Sequence, residues 1–169
     1  MRTIVLLLIV SLQLLRVNAQ ENDIRSAKIT FEFPAKNVTG TIEGFQSTSK
    51  IDWDNPSSSV FKGSVQAETL DTGNGLRNWS LRGSKYFDVK GHPRLYFEST
   101  EINQDKDKWV VLGELKIKGT SRPFEIVFEK KGKRLIGKGA LYCSDFGIKI
   151  KKKREDNLVR VTFDFELVG

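Results

Sequence analysis

The stretch VRVTFDFEL, Val159 to Leu167, decides the fold class. Val159, Val161, Phe163, Phe165 and Leu167 fall on one side of an extended chain, with Arg160, Thr162, Asp164 and Glu166 on the other. A period of two is the pleat of a strand with one face in a core and the other in water. A helix would scatter the same residues around its circumference. Valine and phenylalanine dominate the stretch, and both fit a half-buried pleated surface.

The same alternation recurs along the chain. AKITFEF sets Ala27, Ile29, Phe31 and Phe33 against Lys28, Thr30 and Glu32. VFKGSVQAETL sets Phe61, Gly63, Val65 and Ala67 against Lys62, Ser64, Gln66 and Glu68. RLYFEST aligns Leu95, Phe97 and Ser99. VVLGELKIKG aligns Val111, Gly113, Leu115 and Ile117, and PFEIVFEK aligns Phe124, Ile126 and Phe128. Weaker strands are expected at Val38 to Phe45, Lys50 to Trp53 and Lys133 to Cys143. Gly40, Gly44, Gly137 and Gly139 mark bends or bulges there. Polar segments rich in Gly and Pro (DNPSSS, QDKDK, GTSRP, KKGKR and KKKREDN) separate the runs as turns. The pattern predicts about eight or nine strands, and no crossover helix follows any of them, so the sheet is antiparallel.

Such a sheet must dispose of its edges, and closure into a barrel removes them outright. A barrel of about eight strands either fills with its own side chains or holds one small ligand. Gly63, Gly113 and Gly137 on inward faces, beside phenylalanines, favour a roomy interior. The same glycines would also serve a dry, packed core by allowing the strands to coil. Both readings stand at this level.

The N-terminus has another logic. Arg2 precedes an apolar run from Ile4 to Leu15 broken only by Ser11 and Gln13, and Val17-Asn18-Ala19 offers small residues for a signal peptidase. The run is shorter than the roughly 20 residues that span a bilayer. Residues 1–19 are therefore expected to be a signal peptide and residues 20–169 one domain, periplasmic or secreted. The residue directly after Ala19 is Gln20 and not a cysteine, which argues against a lipid-anchored form. Cys143 is the single cysteine, so no internal disulfide forms, and it is expected to pack as a small apolar residue. His92 is the single histidine. There is no metal-ligand spacing and no Gly-rich phosphate loop after a strand. Neither an enzyme nor a cofactor is expected. The formal charge of +7 gathers in KKGKR, Lys130 to Arg134, and in Lys151 to Arg154. An export signal argues against nucleic acid, and transient contact with an anionic membrane surface is the partner these clusters suit. Asn37-Val-Thr39 and Asn78-Trp-Ser80 match the N-glycosylation sequon, which would matter only in a eukaryotic source.

One segment does not alternate: TGNGLRNWSLRGSKYFDV, Thr72 to Val89. Leu76, Trp79 and Leu81 fall near helical spacing. Asp71 or Thr72 is expected to cap the first turn, and Gly83 to end it with positive φ. A short helix here would rim a barrel end, with Trp79, Tyr86 and Phe87 turned toward the mouth.

The residues of this segment carry a resemblance. Thr72-Gly73, Arg77-Asn78, Leu81-Arg82, Tyr86-Phe87-Asp88, Pro93 and Phe97-Glu98-Ser99-Thr100 stand in the order of the YceI-like signature. GELKIKGTSRPFEI, ITFEFPAKNVTGTIEGF and CSDFGI resemble further segments of that family, from about Ile24 to Leu167. Asn78 stands where many members carry Asp, Ser80 where many carry His, and Lys116 where a Thr is usual. The resemblance implies an exported, all-β, lipocalin-like antiparallel eight-stranded barrel with a short helix at one end. It implies an isoprenoid or fatty-acyl amphiphile inside, and a homodimer in some members.

Together these readings name the candidate residues. Phe31, Phe33, Phe61, Val65, Phe97, Leu115, Ile117, Phe128, Phe163 and Phe165 are inward, and Trp79 and Phe87 belong to the rim. All twelve are candidates to touch a lipid tail, with plain core packing as the alternative. Arg77 and Arg82 are head-group candidates, with hydrogen bonds to loop carbonyls or a pair with Asp88 as theirs. The function expected is carriage or storage of an envelope amphiphile. The alternative is a ligand-free structural or envelope-surface protein with a dry core.

Overall fold

The computed structural model describes residues 23–168, so the expected leader lies outside the described residues. Nine strands form: β1 (Ile24–Phe33), β2 (Val38–Ile42), β3 (Gln46–Ser47), β4 (Lys62–Gln66), β5 (Arg94–Asp105), β6 (Lys108–Ile117), β7 (Thr120–Lys131), β8 (Arg134–Tyr142) and β9 (Leu158–Leu167). One helix, α1 (Gly75–Arg82), lies between β4 and β5. All pairings are antiparallel, and the sheet order is β2-β1-β9-β8-β7-β6-β5-β4-β3.

The two edge strands of this sheet are neighbours in the chain. Only Glu43, Gly44 and Phe45 separate β2 from β3, and Gly44 takes a left-handed φ of 69°. One bent segment thus pairs with β1 by its first half and with β4 by its second. Counted so, nine strands make the expected ring of eight. Backbone bonds stitch the bend: Thr41 and Asp71 exchange amide-to-carbonyl bonds of 2.8 and 2.9 Å, and the Gln66 amide donates to the Glu43 carbonyl at 2.9 Å. Register shifts near Arg25 in β1 and Thr100 in β5 add the twist that a closed sheet needs.

The alternating faces fall as the sequence requires, but the punctuation differs in four places. GTSRP is not a turn. The turn is Lys118-Gly119 alone, with φ of 50° and 75°, and β7 starts at Thr120. Lys50 to Trp53 makes only an isolated bridge, Lys50 to Val60. Helix α1 is capped by Asn74, whose side chain accepts from the Arg77 amide, rather than by Asp71 or Thr72. Gly83 leaves the helix extended, at φ −69°, so no positive φ is needed there.

The core is unevenly divided. At the end where β6 begins, Ile102, Trp109, Val111, Phe128 and Leu135 are buried and packed solid. Trp53 packs on Trp109 with centroids 4.8 Å apart and planes tilted by 44°, and the Lys130 ammonium lies 3.8 Å from the Trp53 ring, closing that end. At the opposite end a smaller cluster of Phe33, Ile117, Cys143, Phe146 and Ile148 gathers with Tyr86, Phe87 and Ile150 beside it. The loop from Gly147 to Asn157 crosses this end. Asn157, wholly buried, holds it by accepting from the amides of Ile150 and Lys151 at 2.9 Å and donating to the carbonyls of Lys151 and Lys153.

Candidate functional site

Between the packed end and the helix lies a cavity of about 580 Å³, inside the range of about 300–1,000 Å³ that holds small ligands. Its wall is built from the inward positions of the strands, and ten of the twelve apolar candidates line it: Phe31, Phe33, Phe61, Val65, Phe87, Phe97, Leu115, Ile117, Phe163 and Phe165. The interior is hollow, which counts against the dry-core reading.

The reason it is hollow lies in the glycines, though not by the route expected. Each inward glycine meets an aromatic ring instead of leaving a gap, and Gly40, Gly63 and Gly113 also meet the main-chain carbonyls of Asp71, Gln46 and Glu98. A methyl group on Gly113 would lie 2.6 Å from Cζ of Phe97, and one on Gly139 would lie 2.5 Å from Cζ of Phe124. On Gly137 it would meet Cδ1 of Phe128 at 2.6 Å and Cγ2 of Ile126 at 2.9 Å. Gly40 takes the Phe31 ring in the same way. A ring that lies over a glycine occupies the wall rather than the axis, so bulky residues coat the tube without filling it.

Two candidates fall elsewhere. Phe128 does not line the cavity; it lies beneath it, 1% exposed, stacked on Phe61 at 5.1 Å with planes 12° apart. Its direct partner across the sheet is Gly137, and that absent side chain draws the ring down among Phe61, Phe163 and Phe165, where it supports the floor. Trp79 points the other way, 76% exposed on α1. The helix turns Asn78 inward instead, because an amide can satisfy the polar loop beneath. Asn78 Oδ1 accepts from the Thr72 amide (2.9 Å) and hydroxyl (2.6 Å), and Nδ2 donates to Asp71 Oδ1 at 2.8 Å. The Gly73 amide and then the Asn78 amide hold the Asp71 carboxyl below its ordinary range. The Asn78 nitrogen is therefore occupied within the fold.

The arginines separate. Arg77 lines the cavity, donating from Nε to Thr72 Oγ1 at 2.7 Å and from Nη2 to the Thr72 carbonyl at 2.8 Å. Arg82 does not line it; its Nη2 donates to the Leu70 carbonyl at 3.1 Å, which fastens the helix to the barrel. Lys36, in the turn after β1, joins Arg77 as a cation of the lining, as does Lys62, whose ammonium pairs with Glu98 at 2.9 Å. Among the described residues, the lining holds no carboxylate.

Sequence reasoning missed several wall residues. Phe45 follows the Gly44 bend, and Ile148 and Ile150 come from the late loop. The alternation Ile148-Lys149-Ile150-Lys151 was their signal, hidden by the basic run that follows. Cys143 also lines the cavity, and burial pushes its thiol up to about 11. A thiol held protonated is no nucleophile. His92 lies 3.9 Å from Asp88 in the loop after α1. Asp145 and Arg154 bind through paired hydrogen bonds of 2.8 and 2.6 Å, outside the cavity. Among the described residues, no group of three or more His, Cys, Asp or Glu could hold a metal.

Comparison with known proteins agrees with this geometry. The model of the YceI-like domain matches residues 18–167. A UPF0312 protein of Photorhabdus laumondii is 30% identical over 93 residues, 55% of this chain and 48% of that protein. One from Pseudomonas aeruginosa is 27% identical over 121 residues, 66% of this chain and 63% of that protein. The chain spans about half the length of the first of these curated relatives. Among solved structures, Burkholderia cenocepacia BcnA superposes with a TM-score of 0.69 at 21% identity, covering 85% of this chain and 96% of that one. A polyisoprenoid-binding domain from Saccharophagus degradans, implicated in plant cell wall breakdown, gives a TM-score of 0.57 at 11% identity over 86% of this chain and 97% of that one.

Proposed function

The chain belongs to the YceI-like family, and on that premise we propose that it holds one amphiphile with an isoprenoid or fatty-acyl tail, for carriage or storage in the periplasm or outside the cell. The tail runs down the tube toward Phe61 and Phe165, and the head stays at the rim beside Arg77 and Lys36. The observation that carries the reading is the apolar cavity of about 580 Å³, with Thr72, Asn74 and Arg77 at the helix end among its few polar groups. The polyisoprenoid-binding neighbour supports it. Each buried methylene contributes about 0.8 kcal/mol. Ten or so buried carbons therefore offset an association cost of the order of 4–15 kcal/mol only with help from head-group contacts or a longer tail. A binding role needs none of the nucleophile, base or metal chemistry that an enzyme would. The export signal expected at residues 1–19 and the resemblance both favour the envelope or the exterior as its place.

The test is native mass spectrometry on protein purified from its own cells, followed by uptake of a fluorescent long-chain fatty acid and a fluorescent prenyl alcohol by the delipidated protein. A co-purifying lipid and saturable uptake of either probe are expected. A protein that arrives empty and takes up neither probe overturns the proposal.

A further inference from the structure

We propose that the rim around the cavity mouth is a docking face for an anionic membrane surface, with Trp79 and Leu76 as its inserted apolar pair. The inference rests on the proposed container in one respect only: docking sets the mouth against lipid. Leu76 and Trp79 are 77% and 76% exposed, well above the other large apolar side chains left in water. They stand three apart on α1, hence side by side on one face. Neither helps to hold the helix down; Asn78 and Arg82 do that through Thr72, Asp71 and Leu70. Leu76 also belongs to the cavity lining, so this apolar face is continuous with the mouth.

The charge around the pair selects the partner. Arg77 and Lys36 stand at the mouth, and Lys85 lies in the loop after α1 with its ammonium 5.4 Å from the Tyr86 ring. Tyr86 and Phe87 pack in the same cluster as Ile148 and Ile150. The crossing loop therefore brings Lys149, Lys151, Lys152 and Lys153 to the same end of the barrel, with Ile148 and Ile150 turned inward as wall. The acids nearby are Glu32, Glu43, Glu68, Asp71, Asp88, Glu155, Asp156 and Asp145, and Glu32 is paired with Arg160. Asp145 is already bound to Arg154, and Asp71 to the Gly73 and Asn78 amides. A tryptophan and a leucine at the same end as a lysine-rich loop fit the interface of an anionic bilayer, where the indole sits at head-group depth and lysines meet lipid phosphates. A soluble protein partner would satisfy the apolar pair but would give no reason for the mouth to open within its footprint.

The experiment is co-sedimentation of the purified protein with vesicles of phosphatidylcholine alone, and with one-quarter phosphatidylglycerol. The parent protein is expected to bind the anionic vesicles at least tenfold more tightly, with the advantage lost in high salt. Trp79→Ser and, separately, Lys152→Gln with Lys153→Gln are each expected to weaken that binding tenfold or more. Trp79→Ser keeps uptake of the fatty-acid probe from solution, since Trp79 lies outside the cavity. Lipids brominated at the head-group end of the chain are expected to quench tryptophan emission in the parent and markedly less in Trp79→Phe. Equal affinity for both vesicles, no binding to either, or full binding by Trp79→Ser overturns the proposal. So does sedimentation velocity showing a dimer that Trp79→Ser dissolves, because a second copy would then cover the face. Vesicle binding without any probe uptake would overturn the container and leave the docking face standing. Uptake from solution without vesicle binding would do the reverse.

Discussion

Gly137→Ala tests the idea that glycines keep the tube open by seating rings. The new methyl would lie within 2.6 Å of Phe128 Cδ1 and 2.9 Å of Ile126 Cγ2. Both obstacles are side-chain atoms, so the ring must yield. Phe128 is 1% exposed and wedged against Phe61, Phe163 and Phe165, with centroids 5.1, 6.3 and 5.6 Å away. Overpacking of this kind costs about 1–3 kcal/mol. The alanine returns about 0.4–1 kcal/mol by restricting the unfolded chain. The net loss expected is about 1–2 kcal/mol, a fall in Tm of about 2–8 °C for a chain this long. Urea unfolding of a double-mutant cycle isolates the contact. In a Phe128→Leu background the shorter side chain leaves room, and the same alanine is expected to be neutral or stabilising by up to about 1 kcal/mol, a coupling of about 1–3 kcal/mol. Equal cost in both backgrounds, or a stabilised single variant, refutes ring seating as the reason for the glycine.

Leu115→Trp, midway along the lining, is expected to block the tube, leaving circular dichroism unchanged and cutting fatty-acid probe uptake tenfold or more; undiminished uptake would place the ligand elsewhere. Asn157→Ala strands the buried groups of the crossing loop and is expected to cost about 2–4 kcal/mol in urea unfolding, and a loss below about 1 kcal/mol would show that the loop holds itself. Cys143, with its thiol raised by burial from 9.0 to about 11, is expected to react with a disulfide reagent at pH 8 only as fast as the protein opens. The protonated thiol is the form the fold favours, so its contribution is full below pH 9 and is lost as pH rises to about 11. A Cys143→Ala protein should lack that alkaline decline, and an identical decline in both proteins would assign it to other groups.

Much of the barrel was legible because the alternation is imposed by the core itself. Val159 to Leu167 appears as β9 within one residue, and Ile29, Phe31 and Phe33 lie on one face of β1. What escaped reading depends on competition between polar groups. Leu76 and Trp79 look like the inner face of a helix, yet Asn78 takes that face, since only a side chain with both donor and acceptor can answer Thr72 and Asp71 together. The cap passed to Asn74 for a related reason: Asp71 was engaged by the Gly73 amide and by Asn78. Phe128 and Phe97 are alike in sequence, each an inward position of an alternating run. Depth along the tube separates floor from wall, and depth depends on which strands meet, which local pattern does not encode.

The kink at Gly44 gives the hoop a latch. Elsewhere each strand meets its neighbour through at least five paired positions, whereas β3 and β4 pair at Gln46–Ser64 and Ser47–Gly63, with single bonds from Gln66 to Glu43 and from Thr48 to Lys62 and the Lys50–Val60 bridge beyond them. Phe45 and Gly63 beside that short zip face the hollow. Breathing of the closed tube should therefore start there, with the amides of residues 45–48 exchanging hydrogen ahead of every other ladder, and a greasy guest too long to turn at the mouth would find its side exit at the same hinge.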